Sequence, residues 1–532
     1  MPSYEPSFDL TRAPWIPVIR RGARRATPEP VSLRTALRDA HRIRAVHAPT
    51  PLQTMALGRL LQALVLRIFY PVGETFARDD NDRWWDLFEA ERFDPAALAA
   101  YFDAWQDEKE CFDLFHPERP FYQHPEPMTK RVKSMTNLFA GRASGNNETL
   151  FNHNVDDDPP SVTPAEAARG LVALQATALG GGRSKPFYYA DAPLVSGTVF
   201  WMRGTGEATE NLFHALLLNS PPYGEALLTP IGTGTDRPVW ERMYDGGLPD
   251  PEKRPETGYL DYLTWPSRRV RLVPDTSDDG ETVVRTLKIS QGDKRTNDAV
   301  TDPLMARTER TKRGLRPLKL RKDKALWRDM HVVSGTQSDT LKTAPPTLQW
   351  ASEEFDDVRW FVDAFGIVND QSKIERWAHV RIPIYPAILT DDDRHAQLQD
   401  ALKHADEQAD TLKRATRECA AYLQYQASYA SLGTQSRKDV RALATSLGTV
   451  ARYWAALEDP FWKWLRQLGA PDADLHVLPA QWGRTLYRRA RDAYDTATDS
   501  LGDTARQARA VAAGRSELHP VVAFDDILAS VS

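Results

Sequence analysis

Beyond residue 391 the chain gives up short, alternating signals for four long helical patterns, over residues 394–429, 437–468, 479–500 and 503–532, separated by Gly, Pro and Ser breaks. Helices of that length with short connections bury their apolar stripes by packing on one another, which predicts a four-helix bundle. The acidic run Thr390-Asp391-Asp392-Asp393 marks the boundary. Before it, strand and helix signals mix, and 532 residues exceed what one hydrophobic core organises. The expected fold class is α+β, with a large mixed α/β domain over residues 1–390 and a C-terminal four-helix bundle over 391–532.

In the first domain, residues 8–21 (FDLTRAPWIPVIRR) read as an edge strand, because Pro14 and Pro17 cannot donate to a ladder. Ser32 is placed to cap a short helix. Residues 51–69 carry Leu57, Leu60, Leu61, Leu64 and Ile68 at helical spacing, and Arg59, Gln62 and Arg67 interrupt this most apolar segment, so it is expected to be a core helix rather than a membrane span. No apolar signal core precedes it in residues 1–12. The aromatic segment from Trp84 to Phe115 is expected to pack rather than to stack on bases.

A polar loop over 138–160 surrounds the apolar pair Leu150-Phe151. A helix over 164–178 then leads into residues 177–186 (TALGGGRSKP), and a strand over 195–202 follows. Three successive glycines leave a backbone that a large partner can approach closely. Glycine also permits positive φ, so the run is expected to turn consecutive N–H groups outward beside Arg183 and Lys185, which suits a polyanion. A flexible surface turn is the plainer alternative.

Strands are expected over 259–273 and 282–289, with Lys288 exposed by a hairpin, and two strand-like runs flank a polar turn over 366–373. Arg307, Arg310, Lys312, Arg313, Arg316, Lys319, Arg321, Lys322, Lys324 and Arg328 crowd one stretch of a chain whose formal net charge is −5. Attraction to nucleic acid must therefore be local, and this stretch is either a solvated basic face or a phosphate-contacting surface.

Cys111 and Cys419, the only cysteines, suggest neither a disulfide framework nor a thiolate zinc cluster, and a reducing cytoplasm fits them. The dipeptide Gly-Lys is absent, so no phosphate loop occurs, and neither Gly204-Thr205-Gly206 nor Gly232-Thr233-Gly234 completes a dinucleotide fingerprint. The twelve histidines include no H-E-x-x-H pair. No catalytic constellation, cofactor or metal is expected. The competing readings are a metal-dependent nuclease using Asp156, Asp157 and Asp158, and a purely structural scaffold in a ribonucleoprotein.

Taken in order, FDLTRAPWIPV at 8–18, ASGNNETLFNHN at 143–154, ALGGGRSK at 178–185, VSGTVFWMRG at 195–204, Asn369-Asp370-Gln371 and the terminal helices resemble the CasA-type large subunit of Cascade, the RNA-guided DNA surveillance complex of type I-E CRISPR systems. The resemblance implies that Gly180, Gly181 and Gly182 lie against the minor groove of the protospacer-adjacent motif, with Gly181 closest. It also implies that Lys288 is a reading lysine, with Lys294 as the alternative, and that Asn369 and Gln371 form a wedge that opens the duplex. Asp370 stands where a relative has asparagine. Phe151 and Asn152 would dock toward the guide-RNA end, and Arg183, Lys185, Arg313, Arg316, Lys319 and Arg321 would contact phosphates. The implied partners are the other Cascade subunits, the CRISPR guide RNA, double-stranded target DNA and a helicase-nuclease. No membrane is involved, no structural zinc is expected, and the subunit would be cytoplasmic and non-catalytic.

Overall fold

The computed structural model describes residues 5–23, 27–70, 79–127, 129, 131–139, 160–181, 189–206, 208–222, 236–244, 253–296, 300–309, 314–335, 342–355, 360–370, 373–502 and 504–522. It is an α+β protein of two compact units. Residues 1–324 and 341–384 form the first, and residues 325–340 and 385–532 form the second.

The first unit is built around helix α1 (Pro51–Phe69), started by the Thr50 hydroxyl accepting from the Gln53 amide and by Pro51 in the first turn. Leu57, Leu61, Leu64, Val65 and Leu66 are fully buried. By length and composition α1 could cross a membrane, yet most of it lies inside the fold. Its interrupting polar groups are buried as well. The Arg59 guanidinium meets Asp302 at 2.7 Å and the Tyr259 hydroxyl at 3.0 Å, and Gln62 donates to the Asn219 carbonyl. Of the aromatic segment, Trp84, Phe93, Phe102, Phe112 and Phe115 are buried in the core, with Phe88 stacked on Trp84 at 4.9 Å.

Around α1 lie small sheets. Strand Ile16–Arg20 pairs antiparallel with Glu29–Val31 on one side and Ile43–Val46 on the other, so the expected edge strand is central to a three-stranded sheet. The prolines fit because the amide paired at this end is that of Trp15, which donates to Val31, while Pro17 takes part through its carbonyl, which accepts from His47. Next along the chain come β1 (Val132–Ser134), α2 (Pro164–Thr177), β2 (Val199–Arg203) and the short, wholly buried α3 (Leu212–Leu218). They are followed by β3 (Arg268–Thr276), β4 (Thr282–Gln291), β5 (Leu315–Pro317), β6 (Trp360–Asp370) and β7 (Lys373–Ile384). One sheet runs β1-β4-β3, another β7-β6-β2.

Two expectations fail here. Residues Tyr259–Leu263 are a helix rather than the start of a strand. The Asp236 carboxylate accepts from the Leu260 and Asp261 amides at 3.1 and 3.0 Å, so a residue more than twenty positions away caps that turn. Lys288 is not at a hairpin end: it lies in the central strand β4, in register with Val132 and Arg271, and is half-buried.

In α3 the Asn211 side chain accepts from the His214 amide at 2.9 Å and lies 2.8 Å from the ring Nδ1. Burial, with a smaller push from the charge of Arg21, lowers the His214 pKa to about 4. A base whose folded pKa lies below its unfolded value, near 6.5, loses stability as pH falls from about 6.5 to about 4. The full window is worth about 3 kcal/mol. Urea unfolding at pH 7 and pH 5 is expected to show His214→Gln losing less stability on acidification than the wild type, by about 2 kcal/mol. Equal losses would place the acid sensitivity elsewhere.

The second unit is helical: α4 (Asp392–Tyr425), α5 (Thr434–Ser446), α6 (Thr449–Leu468), α7 (Leu478–Thr498) and α8 (Ala505–Ser516). Beyond residue 391, where four helices are expected, the described residues form five α-helices. The second predicted helix breaks at Gly448, where φ of +67° ends α5 and reorients the chain before α6. The long α4 is the spine. Tyr453 of α6 donates to the Ala405 carbonyl at 3.0 Å and Trp482 of α7 to the Ala401 carbonyl at 2.9 Å. Residues 325–340, expected in the N-terminal domain, belong to this unit, where Trp327 packs on Phe461 at 4.8 Å and Arg328 lies over the Trp454 ring at 3.5 Å.

Candidate nucleic-acid interface

The glycine run sits at the end of α2. That helix opens with a capping box, in which Thr163 accepts from the Glu166 amide and Glu166 accepts from the Thr163 amide, and it ends at Ala178, which turns extended. The chain entering the glycine loop then runs beside the chain leaving it. Ala192 donates to Ala178 at 2.8 Å, Gly181 donates to Tyr189 at 2.8 Å, and Tyr189 donates back to Gly181 at 3.1 Å. The Gly180 amide donates to the Asp191 carboxylate at 2.6 Å.

This closes the loop with a narrow neck and corrects one expectation. The amides of Gly180 and Gly181 do not face outward for a partner, because both are used in holding the neck. Glycine is required there for conformation and space: Gly181 has φ of +137°, and a Cβ on Gly180 would come within 2.9 Å of the Tyr189 carbonyl oxygen. Gly182, Arg183 and Lys185 lie outside the described residues, as do Phe151, Asn152, Arg313, Gln371 and Asp156 to Asp158.

Below the neck lies Arg268, at the start of β3 and 5 % exposed. Its guanidinium donates from Nη2 to the Leu179 carbonyl at 2.7 Å and from Nη1 to the Ala190 carbonyl at 2.9 Å, and its Cζ stands 4.7 Å from the centre of the Tyr189 ring. Burial lowers its pKa to about 10 against the opposing influence of Tyr189 and Asp191. Nothing in the sequence around Arg268 singles it out, since its role depends on partners about ninety positions away.

Asn369 lies next to the turn that joins β6 to β7. The strands pair Asn369 with Ile374 and Asp370 with Lys373, the last pair before the chain reverses, and a bulge between Val368 and Asn369 offsets the register. The third strand, β2, pairs with β6 only from Phe361 to Phe365, so the turn end of the hairpin runs on past its sheet. Lower in the hairpin the Asp363 carboxylate receives Arg381 Nε at 2.8 Å, His379 Nε2 at 3.1 Å and Arg203 Nη1 at 3.3 Å. Burial opposes ionisation of Asp363, but the hydrogen bonds from His379 and Arg381 and the charge of Arg203 outweigh it and hold the carboxyl well below its usual range.

One apolar cluster joins these two features. Ile367 of β6, with Ile374 and Trp377 of β7, packs with Ala178 and Leu179 before the glycines, Ala192 and Val195 after them, and Leu52 of α1. Neck and hairpin are therefore neighbours, although residues 180 and 369 are far apart in sequence. The basic stretch lies against the hairpin. Leu318 is fixed by accepting from the Thr198 amide at 2.7 Å and donating to Ala306 at 2.8 Å, and Leu320 lies over Gly366, where an added Cβ would come 2.7 Å from it. Arg316, Lys319 and Arg321 are exposed along this strap, and Lys322 meets Glu375 of β7 at 3.3 Å.

Lys288 is not part of that gathering. It sits in the β1-β4-β3 sheet, opposite Arg271, three residues or about 10 Å along β3 from Arg268. Lys294 is exposed in a two-residue strand beside Lys253. Among the described residues no group of three or more His, Cys, Asp or Glu side chains is placed to hold a metal ion.

The family model described as CRISPR-associated protein Cse1 matches residues 9–493. The chain belongs to the Cse1 family. It is 30% identical over 527 residues to the CRISPR-associated protein CasA/Cse1 of Thermus thermophilus, covering 96% of each chain. The crystal structure of the Cse1 protein of Acidimicrobium ferrooxidans matches with a TM-score of 0.76 at 25% identity, covering 100% of this chain and 99% of that one. A chain from a structure described as a CRISPR RNA-guided surveillance complex, pre-nicking, matches with a TM-score of 0.65 at 26% identity, covering 96% of this chain and 98% of that one. The Cse1 fold thus spans almost the whole sequence.

Proposed function

We propose that this Cse1-family chain is the non-catalytic large subunit of an RNA-guided DNA surveillance complex, recognising the protospacer-adjacent motif and starting duplex opening. The observation that carries the reading is the apolar cluster that makes neighbours of the glycine-loop neck and the Asn369 hairpin, with an exposed basic strap along the hairpin. A reader, a wedge and a phosphate surface are useful to one duplex only if they lie side by side. The similar chain within a surveillance complex supports the assembly with other subunits and a guide RNA.

In this reading Gly180, Gly181 and Gly182 approach the minor groove, and Lys288, which stands apart from the apolar cluster in the sheet whose Arg268 bonds the neck, supplies a donor to base acceptors. The minor groove offers a largely degenerate acceptor pattern, so such a reader tolerates several related motifs. Gln371, flanked by Asn369, presses into the duplex beside the motif and unstacks the first step, at a cost of roughly a few kcal/mol. Guide pairing then carries the opening forward, because exchange of a DNA duplex for an RNA–DNA hybrid is nearly balanced. Phe151 and Asn152 dock toward the guide-RNA end, and a helicase-nuclease joins afterwards to destroy the target.

The test is the complex assembled with Gln371→Ala. Binding of motif-bearing duplex is expected to persist while permanganate reactivity of the first protospacer bases appears at least tenfold more slowly. Normal opening rates would remove the wedge, and cleavage of plasmid by the purified chain with magnesium would favour a nuclease.

Neutralising Arg316, Lys319 and Arg321 together is expected to weaken DNA binding whatever the motif. The slope of log affinity against log salt should shrink by up to about 0.9 for each phosphate that is no longer neutralised. An unchanged slope would make the strap a solvated face.

A further inference from the structure

We propose that Arg268 is the positioning residue of the glycine loop, fixing the neck from below so that its glycines meet DNA in one orientation. The inference rests on the reading that this loop touches DNA and names the side chain that sets how it is held.

Three observations converge on it. First, the guanidinium fork spans the neck, bonding the Leu179 carbonyl on the entering chain and the Ala190 carbonyl on the leaving chain at 2.7 and 2.9 Å. The face of Tyr189, the residue paired with Gly181, lies against it at 4.7 Å. Second, the arginine backbone is itself pinned to the last turn of α2. The Arg268 amide donates to Gln175 Oε1 at 2.9 Å, Gln175 Nε2 donates to the Arg268 carbonyl at 2.7 Å, and the Ser267 hydroxyl donates to the Gln175 carbonyl at 2.6 Å. The helix before the loop, the strand beneath it and both sides of the neck are thus tied together by one set of hydrogen bonds.

Third, among the described residues no carboxylate lies within ion-pair distance of this buried cation, whose hydrogen-bond partners are carbonyl oxygens, including that of Ser267 at 2.7 Å. Burying a charge with no counter-ion in direct contact is unfavourable, and an apolar side chain would fill the same space without that cost. What the guanidinium adds is a rigid planar pair of bonds directed to opposite sides of the neck, which a lysine ammonium on a flexible stem cannot reproduce.

The experiment compares Arg268→Met and Arg268→Lys in the full chain and in the assembled complex. Hydrogen exchange is expected to accelerate at least tenfold over residues 178–192 in Arg268→Met, with residues 360–384 and the helical unit unchanged, and less in Arg268→Lys. Preference for motif-bearing over motif-free duplex should fall by at least tenfold with Met and be partly kept with Lys, while affinity for motif-free DNA stays near wild type. Exchange that is unchanged at the neck, or accelerated equally throughout the chain, would overturn the positioning role. Local acceleration with motif preference intact would uphold Arg268 as the clamp of the neck and overturn instead the reading that the loop recognises the motif. Should Arg268→Met fail to fold, Arg268→Lys alone decides, because it keeps the charge while losing the two-sided fork.

Discussion

Complexes assembled with Gly181→Asp are expected to lose about 100-fold in preference for motif-bearing DNA. Two effects combine. The new carboxylate would face groove acceptors and phosphates, and a side chain at φ of +137° strains the backbone by about 1–3 kcal/mol. That strain falls on the residue whose amide and carbonyl both pair with Tyr189, so the neck itself would loosen. Gly181→Ala carries the same backbone penalty without the charge and separates the two effects. It is expected to lose about tenfold, with a small drop in melting temperature shared by both variants. The measurement is binding of assembled complexes of checked stoichiometry to matched targets with and without the motif. If both variants keep the wild-type preference, the loop is a surface turn and not a reader.

The largest stability effect is expected at Arg59, in the middle of α1. Its guanidinium and the Asp302 carboxylate are both almost wholly buried, and the Tyr262 hydroxyl donates to Asp302 at 3.0 Å. Burial opposes the charge of Arg59, but Asp302, Tyr259 and Tyr262 outweigh it and raise its pKa. Removing one partner strands the other charge in the core, so Arg59→Met and Asp302→Leu should each destabilise the first unit by about 3–5 kcal/mol in urea unfolding. The double variant should recover at least half of that, because an apolar pair leaves no buried charge to solvate. A double variant as unstable as the sum of the singles would mean that the pair is not coupled.

Both residues of that ion pair stand in the sequence, but nothing there joins them. Arg59 interrupts an apolar run and reads as a mark against a membrane span, which agrees with the buried position of α1, yet no pattern tells that its partner is 243 residues away. The same division runs through the rest of the chain. Helix α1, the Ser32 cap, helix α2, the β6–β7 hairpin and the run of C-terminal helices were legible because helical periodicity, caps and tight turns are set by residues within a few positions of one another. The α+β class follows from them.

What depends on distant partners was not legible. Residues 259–263 alternate like a strand but coil into a helix because Asp236 caps them, and Lys288 looks like a hairpin tip but lies mid-strand because β1 closes over β4 from the far side of the chain. The glycines were read as bare backbone with free amides; folding spends those amides on Asp191 and Tyr189 and sets Arg268 beneath them. By itself the sequence determined the long helices, the β6–β7 hairpin and which segments carry glycine, amide and positive charge. Only the tertiary structure decided that the glycine neck and the Asn369 hairpin lie side by side, because one apolar cluster drawn from four separate segments buries its surface only when they do, and that the Lys319 strap follows the hairpin with Leu320 over Gly366.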